Sequence, residues 1–245
     1  MKLAVLGNNG PFPGPGGACS GYLLTEGDTK VLIDCGNGVL SNLQKFVKFE
    51  ELDAIVLTHL HSDHVSDMMV LRYAVQIKMN RKQIQKPIKV YAPAEPAEEY
   101  NRLAATPGVF DISPVTESTA LEFGKLKLAF AEMKHPVKCY AVSAYNGERR
   151  FVFSGDTSWN ENIIAFSRGA DVVMLDAGLL SKDKTGENVP HLTAAECGIA
   201  ARESGAKKLI LTHFWPEYDL NDLLSEAKQN FHNTILAEIL KTYDI

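Results

Sequence analysis

Cysteine is scarce in this chain and scattered: Cys19, Cys35, Cys139 and Cys197, with no CxxC pair. That spacing gives neither a disulfide framework nor a zinc–thiolate site, and it fits buried, reduced thiols in a cytoplasmic protein. Long apolar runs are also missing. Without 18 consecutive apolar residues no membrane-spanning helix and no membrane partner are expected. The opening run Met1–Gly7 is too short for a secretory signal and no cleavage pattern follows it, so it reads as a first strand ending at a glycine. A basic surplus is absent too: 25 Lys and Arg stand against 30 Asp and Glu, a net charge of −5. The chain has no overall field to attract nucleic acid as an obligate partner. Nor is there a low-complexity linker, an internal repeat or a shift in composition. One domain spanning 1–245 is the expectation, long enough to bury a full core.

Short, β-branched apolar runs separated by turn residues predict ten strands. They are Lys2–Leu6, Gly21–Thr25, Lys30–Ile33, Ala54–Thr58, Ile88–Tyr91, Leu126–Ala131, Tyr140–Tyr145, Arg150–Ser154, Val172–Leu175 and Lys208–Thr212. Glu26-Gly27-Asp28 reads as a hairpin turn, and Asn146-Gly147 as a type I′ turn. Helical spacing is clearest over Asp63–Ile77, Thr193–Ser204 and Asn221–Thr242. The second of these opens with Thr193 and Glu196, a capping box. Strands grouped in meanders, with helices between them, predict an α/β fold of four αββα layers.

Against this background one hexapeptide stands out: His59-Leu60-His61-Ser62-Asp63-His64. The chain has seven histidines and three of them are here. They follow the apolar run Ala54–Leu57, so two side chains fall on a strand-to-helix loop and two on the first helical turn. Four ligands in six residues are too crowded for one tetrahedral ion and suit two adjacent ions with further ligands from elsewhere. His135, Asp156 and His213 each come just after a predicted strand, as a site on one rim of stacked sheets requires. Taken singly, each of these three is an ordinary turn residue. Together with the hexapeptide they supply the missing ligands.

The pattern HxHxDH, then a single His, then Ser154-Gly155-Asp156-Thr157, then Thr212-His213 resembles the metallo-β-lactamase superfamily. The resemblance runs from Leu32-Ile33-Asp34-Cys35-Gly36 to His213. It implies the metallo-β-lactamase fold, with one metal site of His59, His61 and His135 and a second of Asp63, His64 and His213. Asp156 would bridge the two. The family's glycine three residues after the hexapeptide is replaced here by Asp67. The His-rich set favours Zn²⁺, and the two carboxylates keep Mn²⁺ open.

Several branches can be separated by resemblance. Flavodiiron redox members carry Glu where His61 stands, which favours hydrolysis. True β-lactamases lack the bridging aspartate. Thioesterases of the glyoxalase II kind set their third His in Thr-Pro-Gly-His, whereas this chain has Met133-Lys134-His135-Pro136. The runs Asp171–Ala177, Pro190–Glu196 and Leu209–His213 resemble the phosphodiesterase branch, which includes the transfer-RNA-processing ribonuclease Z. In that branch a carboxylate and a histidine at the places of Asp176 and His191 assist the leaving group, although the carboxylate there is Glu. Ribonuclease Z also carries a long RNA-binding arm between its third His and its bridging Asp. Here that interval is 21 residues, filled by one hairpin. A small phosphodiester is therefore the expected substrate, a cyclic nucleotide or a short oligonucleotide. Attack would come from a metal-bound hydroxide oriented by Asp63, with His191 as proton donor.

Alternatives stay open: a transfer-RNA ribonuclease, a lactone or thioester hydrolase on the same metal pair, and a non-catalytic metal-binding module. A homodimer is also left open. The Asn8–Ser20 loop, with four glycines and three prolines, is either a stiff surface loop or a lip over the site. It has neither GxGxxG nor a P-loop lysine, so it is a poor nucleotide cradle. The polar loop Ser181–Pro190 leads into His191. His232 reads as a solvated helix-face residue and Lys78–Lys89 as a basic solvated face. Trp159 and Trp215 suit either core packing or the pocket wall.

Overall fold

The computed structural model describes residues 1–186 and 189–245. Fourteen strands and six α-helices are present among them. The first sheet is built from β1 (Lys2–Gly7), β2 (Gly21–Glu26), β3 (Thr29–Ile33), β4 (Ala54–Val56), β5 (Ile88–Ala92), β6 (Phe110–Pro114) and, from the far end of the chain, β14 (Thr242–Asp244). The second holds β7 (Ala120–Phe123), β8 (Leu126–Met133), β9 (Cys139–Tyr145), β10 (Arg150–Phe153), β11 (Val172–Asp176), β12 (Lys208–Thr212) and β13 (Thr234–Leu236). The helices are α1 (Val39–Leu43), α2 (Ser62–Asn80), α3 (Ala97–Ala104), α4 (Glu161–Ser167), α5 (Ala194–Glu203) and α6 (Leu220–Lys228).

The period-two alternation of the strands explains the layering. Leu3, Val5, Tyr22, Leu24, Val31 and Ile33 face the second sheet and pack against it in one core. Their neighbours Ala4, Leu6, Leu23 and Leu32 face the other way and are covered by α1, α2 and α3 through Leu43, Met68, Leu71 and Leu103. Helices α4, α5 and α6 cover the outer face of the second sheet with Ile163, Cys197, Ala201 and Leu223. The result is the expected αββα sandwich. Strands buried on both faces read as continuous apolar runs, as Val172–Leu175 does. Among the described residues no helix is long and apolar enough to cross a membrane.

Three local expectations need correction. The helix expected over Asn221–Thr242 stops at Lys228; Thr234–Leu236 then pairs with β12, and Thr242–Asp244 pairs with β1. Apolar residues near helical spacing cannot exclude two three-residue strands, and pairing with existing sheet edges decides the outcome. His232 consequently sits in an exposed loop and not on a helix. The Asn146-Gly147 hairpin is real, but its loop spans Asn146–Arg149 and is not a two-residue type I′ turn. Only Gly147 has positive φ there, and the Asn146 side chain accepts from the Glu148 and Arg149 amides. That side-chain turn competes with the tighter one. The Thr193–Glu196 capping box forms as expected, and all four cysteines are unpaired and buried.

The topology places the site. Strands β10, β11 and β12 are parallel and in register, with Phe153 beside Met174 and Asp176 beside Thr212. Strands β11 and β12 end level and β10 two residues before them, so the residues just after all three emerge on one edge. Strands β3 and β4 are likewise parallel and carry Asp34 and the hexapeptide off their C-terminal ends.

Candidate metal centre

Seven side chains meet at that edge: His59, His61, Asp63, His64, His135, Asp156 and His213. They form two overlapping groups whose ligand atoms lie within 4.8 Å of one another, His59/His61/His135/Asp156 and Asp63/His64/Asp156/His213. Asp156 is the member common to both. A third grouping of the same kind joins Asp156 and His213 to Asp176 and His191.

In the first group His59 Nε2 and His61 Nδ1 stand 3.1 Å apart, and His61 Nδ1 and His135 Nε2 also 3.1 Å apart. Burial holds all three imidazoles below their usual pKa; at His59 the charge of His64 adds to the effect. Two neutral imidazoles can share one N–H···N hydrogen bond, but His61 Nδ1 can donate to only one of its two neighbours, and a cation would satisfy all three nitrogens at once. Two nitrogens on a tetrahedral zinc ion, each at about 2.1 Å, would be separated by about 3.4 Å, close to what is seen here.

The second group is richer in charge. His213 Nε2 is 3.2 Å from Asp63 Oδ2 and 3.3 Å from Asp156 Oδ2. His64 Nε2 lies 3.3 Å from Asp156 Oδ1 and 3.5 Å from Asp63 Oδ2. Yet His64 Nε2 and Asp156 Oδ1 are buried and make no hydrogen bond. Buried polar atoms are rarely left so, and a shared metal ion is the natural partner of both. Burial pushes the His64 imidazole down, but Asp156 and Asp34 more than offset it and lift the pKa to about 10. His213 is lifted well above its usual value in the same way, against burial, by Asp156 and Asp176. Asp156 is held well below the usual carboxylate range despite burial, by the charges of His213 and His64.

Local structure aims these groups. His61 is the N-cap of α2, with Asp63 and His64 in its first turn. Asp34, which sequence analysis passed over except as part of a resembling segment, is fully buried. It lies 2.8 Å from His64 Nδ1 and accepts from the Thr58 amide at 2.8 Å. A carboxylate on the far nitrogen of a ligating histidine fixes the tautomer and turns the other nitrogen to the metal. The available signal was its position, an aspartate directly after a strand, like Asp156. Asp67, in the family glycine's place, accepts from the Leu40 amide at 2.9 Å and ties α1 to α2. Gly10 packs against the His213 ring so closely that a Cβ there would come within 1.9 Å of Nε2.

Asp176 and His191 adjoin the cluster in a different role. Asp176 is fully buried and His191 Nδ1 lies 2.8 Å from its Oδ2. The Asp176 oxygens also accept from the Thr157 amide at 3.2 Å and the Gly178 amide at 3.0 Å. With its lone pairs so occupied, Asp176 positions His191 and His213 and is a poor third-site ligand. His191 keeps 22% of its side chain exposed. Of the remaining residues weighed from sequence, Trp159 packs at the core edge, while Trp215 meets Phe12 edge to face at 5.2 Å between ring centroids. The loop Ser181–Pro190 is described except for residues 187 and 188, and it reaches Pro190, whose carbonyl oxygen is 3.2 Å from His135 Nδ1.

A four-layer sandwich that gathers a His/Asp cluster on the common strand edge defines a metal-binding scaffold. The match to the β-lactamase superfamily domain covers residues 29–214, and the chain belongs to that superfamily, with the metallo-β-lactamase fold and the His/Asp cluster of a metallo-hydrolase. It is 34% identical over 236 residues to the probable metallo-hydrolase YhfI of Bacillus subtilis, covering 96% of each chain. The crystal structure of YhfI superposes with a TM-score of 0.91 at 30% identity, over 99% of this chain and 98% of YhfI. A ribonuclease Z of Brevibacillus brevis is 25% identical, with 87% of this chain and 86% of the ribonuclease covered. The short form of human tRNase Z shares the fold at a TM-score of 0.79 and 20% identity, with 100% of this chain and 99% of that one covered.

Proposed function

We propose that the protein is a two-metal phosphodiesterase acting on small substrates, a cyclic nucleotide or a short oligonucleotide. The observation that carries this reading is the pairing of Asp176 and His191 beside Asp156 at the edge of the seven-residue cluster. Phosphodiester cleavage needs a proton donor for the leaving oxygen as well as metal ligands, and this pair supplies one.

His59, His61, His135 and Asp156 would hold one ion, and Asp63, His64, His213 and Asp156 the other, with Zn²⁺ favoured by the imidazoles and Mn²⁺ tolerated by the carboxylates. Such ions supply Lewis acidity toward the phosphoryl oxygens and a nucleophile at neutral pH. The chain's own residues do the rest. Asp63, whose side chain is 9% exposed, would orient the attacking water. His191, whose pKa Asp176 raises against the effect of burial, would give its proton to the leaving oxygen, a contribution of roughly 10²–10⁴-fold. Asp176 holds that imidazole in place and favours its charged form.

The ribonuclease Z relative favours a second reading, transfer-RNA processing. That alignment runs over 284 residues, more than this chain contains, so the relative carries segments missing here. Between His135 and Asp156 this chain has only the β9–β10 hairpin and its connections. On metal-loaded protein, a cyclic nucleotide or dinucleotide should be cleaved with a higher kcat/KM than a precursor transfer RNA. Efficient cutting of the precursor with no turnover of the small esters would replace the first reading by the second.

A further inference from the structure

We infer that Phe12 and Trp215 form an aromatic subsite at the mouth of the metal cleft that stacks the nucleobase of the substrate; this rests on the phosphodiesterase reading for the chemistry but not for the binding. The Asn8–Ser20 loop is not a loose surface excursion. The Asn8 carbonyl accepts from the Phe214 amide at 2.8 Å, and the Phe214 carbonyl accepts from the Gly10 amide at 3.1 Å. Asn9 Nδ2 donates to the same carbonyl at 3.3 Å, and its Oδ1 accepts from the Gly14 amide at 3.3 Å. The loop is thereby fastened along the residues just after β12, with Gly10 pressed on the His213 ring.

Two residues beyond Gly10 stands Phe12, and two residues beyond His213 stands Trp215. A two-residue reach is at most about 7 Å of chain, so the backbones of both residues lie close to Gly10 and His213, which touch each other. They meet edge to face, with centroids 5.2 Å apart and planes at 84°. In that arrangement neither ring covers more than one face of the other. Phe12 is 41% exposed although it is a large apolar side chain on a well-anchored loop. Holding it open at that spot costs favourable burial, and a stacked ligand would recover it. A base stacks on such a surface with little regard to sequence, which suits a short or cyclic nucleotide held by its phosphate at the metals.

The test is a binding titration on zinc-loaded protein in a Trp159→Phe background, which leaves Trp215 as the one tryptophan of the two in the chain. Adenosine 5′-monophosphate should quench its emission, and ribose 5-phosphate should bind without that quenching. Phe12→Ala should weaken adenosine monophosphate by about tenfold, as expected for one stacked base, and leave ribose 5-phosphate unchanged. Phe12→Tyr should restore the affinity and Phe12→Leu should not. Equal binding of the two ligands, absence of quenching, or equal losses on Phe12→Ala would overturn the subsite. Turnover of methyl p-nitrophenyl phosphate by the same protein reads the phosphodiesterase assignment separately. Failure there, with base-dependent quenching intact, would discard the reaction and keep the subsite.

Discussion

His191 Nδ1 lies 2.8 Å from the buried Asp176 carboxylate, and that contact favours the charged form of a histidine that keeps 22% of its side chain exposed. Burial alone would lower its pKa; the charge and hydrogen bond of Asp176, with Asp156 behind them, raise it from its ordinary value. A proton donor works while it is charged, so kcat should fall as pH rises through the His191 pKa. Asp176→Asn removes the largest raising influence, and the alkaline limb of the kcat profile should move to lower pH. An alkaline limb that stays in place would remove Asp176 from this role.

His191→Ala should lower kcat by roughly 10²–10⁴-fold while metal content stays the same. Elemental analysis beside a turnover assay checks both halves. Loss of metal in the variant would make His191 a ligand.

Asp34 touches no substrate, yet it fixes the far nitrogen of His64. Asp34→Ala should weaken metal binding by about 10–100-fold, the usual consequence of removing such a support. Competition with a chromophoric chelator reads this directly. Wild-type affinity in the variant would mean that packing alone holds His64.

Metal binding should release protons. His64, with a pKa lifted to about 10, and His213, lifted well above its usual value, are both charged at neutral pH in the metal-free chain. A ligating imidazole must be neutral, so filling the Asp63/His64/His213 group at pH 7 should expel roughly two protons. Affinity there should rise with pH until those groups have titrated. Calorimetry in buffers of different ionisation enthalpy counts the protons, and a count of zero would contradict the assignment.

Gly10→Ala places a methyl group where 1.9 Å separates it from His213 Nε2. The loop or the imidazole must move, and activity should fall with little change in thermal midpoint. Unchanged kcat/KM would show that the loop yields freely.

Much of this site was readable because metal ligands must be particular side chains at positions a strand edge can present. His59-x-His61-x-Asp63-His64 and the post-strand His135, Asp156 and His213 satisfy that from sequence, and the structure brings all seven together. The layers were legible for a similar reason: alternation in β1 to β3 reports two buried faces. Asp34 was not singled out because its role is to support a ligand, and support has no spacing rule. Short edge elements failed for another reason. Three residues at Thr234–Leu236 or Thr242–Asp244 carry too little periodicity to oppose the helical spacing around them, and only their pairing partners define them. The Phe12–Trp215 contact joins residues 203 positions apart and carries no local signal.

The central claim is that the two metal groups and His191 serve phosphodiester cleavage. The most direct measurement is kcat/KM of the metal-reconstituted protein, with ion stoichiometry determined, across a cyclic nucleotide, bis-p-nitrophenyl phosphate, a lactone, a thioester and a nitrocefin-type lactam. The account predicts two ions per chain, from the two ligand groups that share Asp156, and a clear preference for the phosphodiesters. Full loading accompanied by a preference for the lactone or thioester would contradict it.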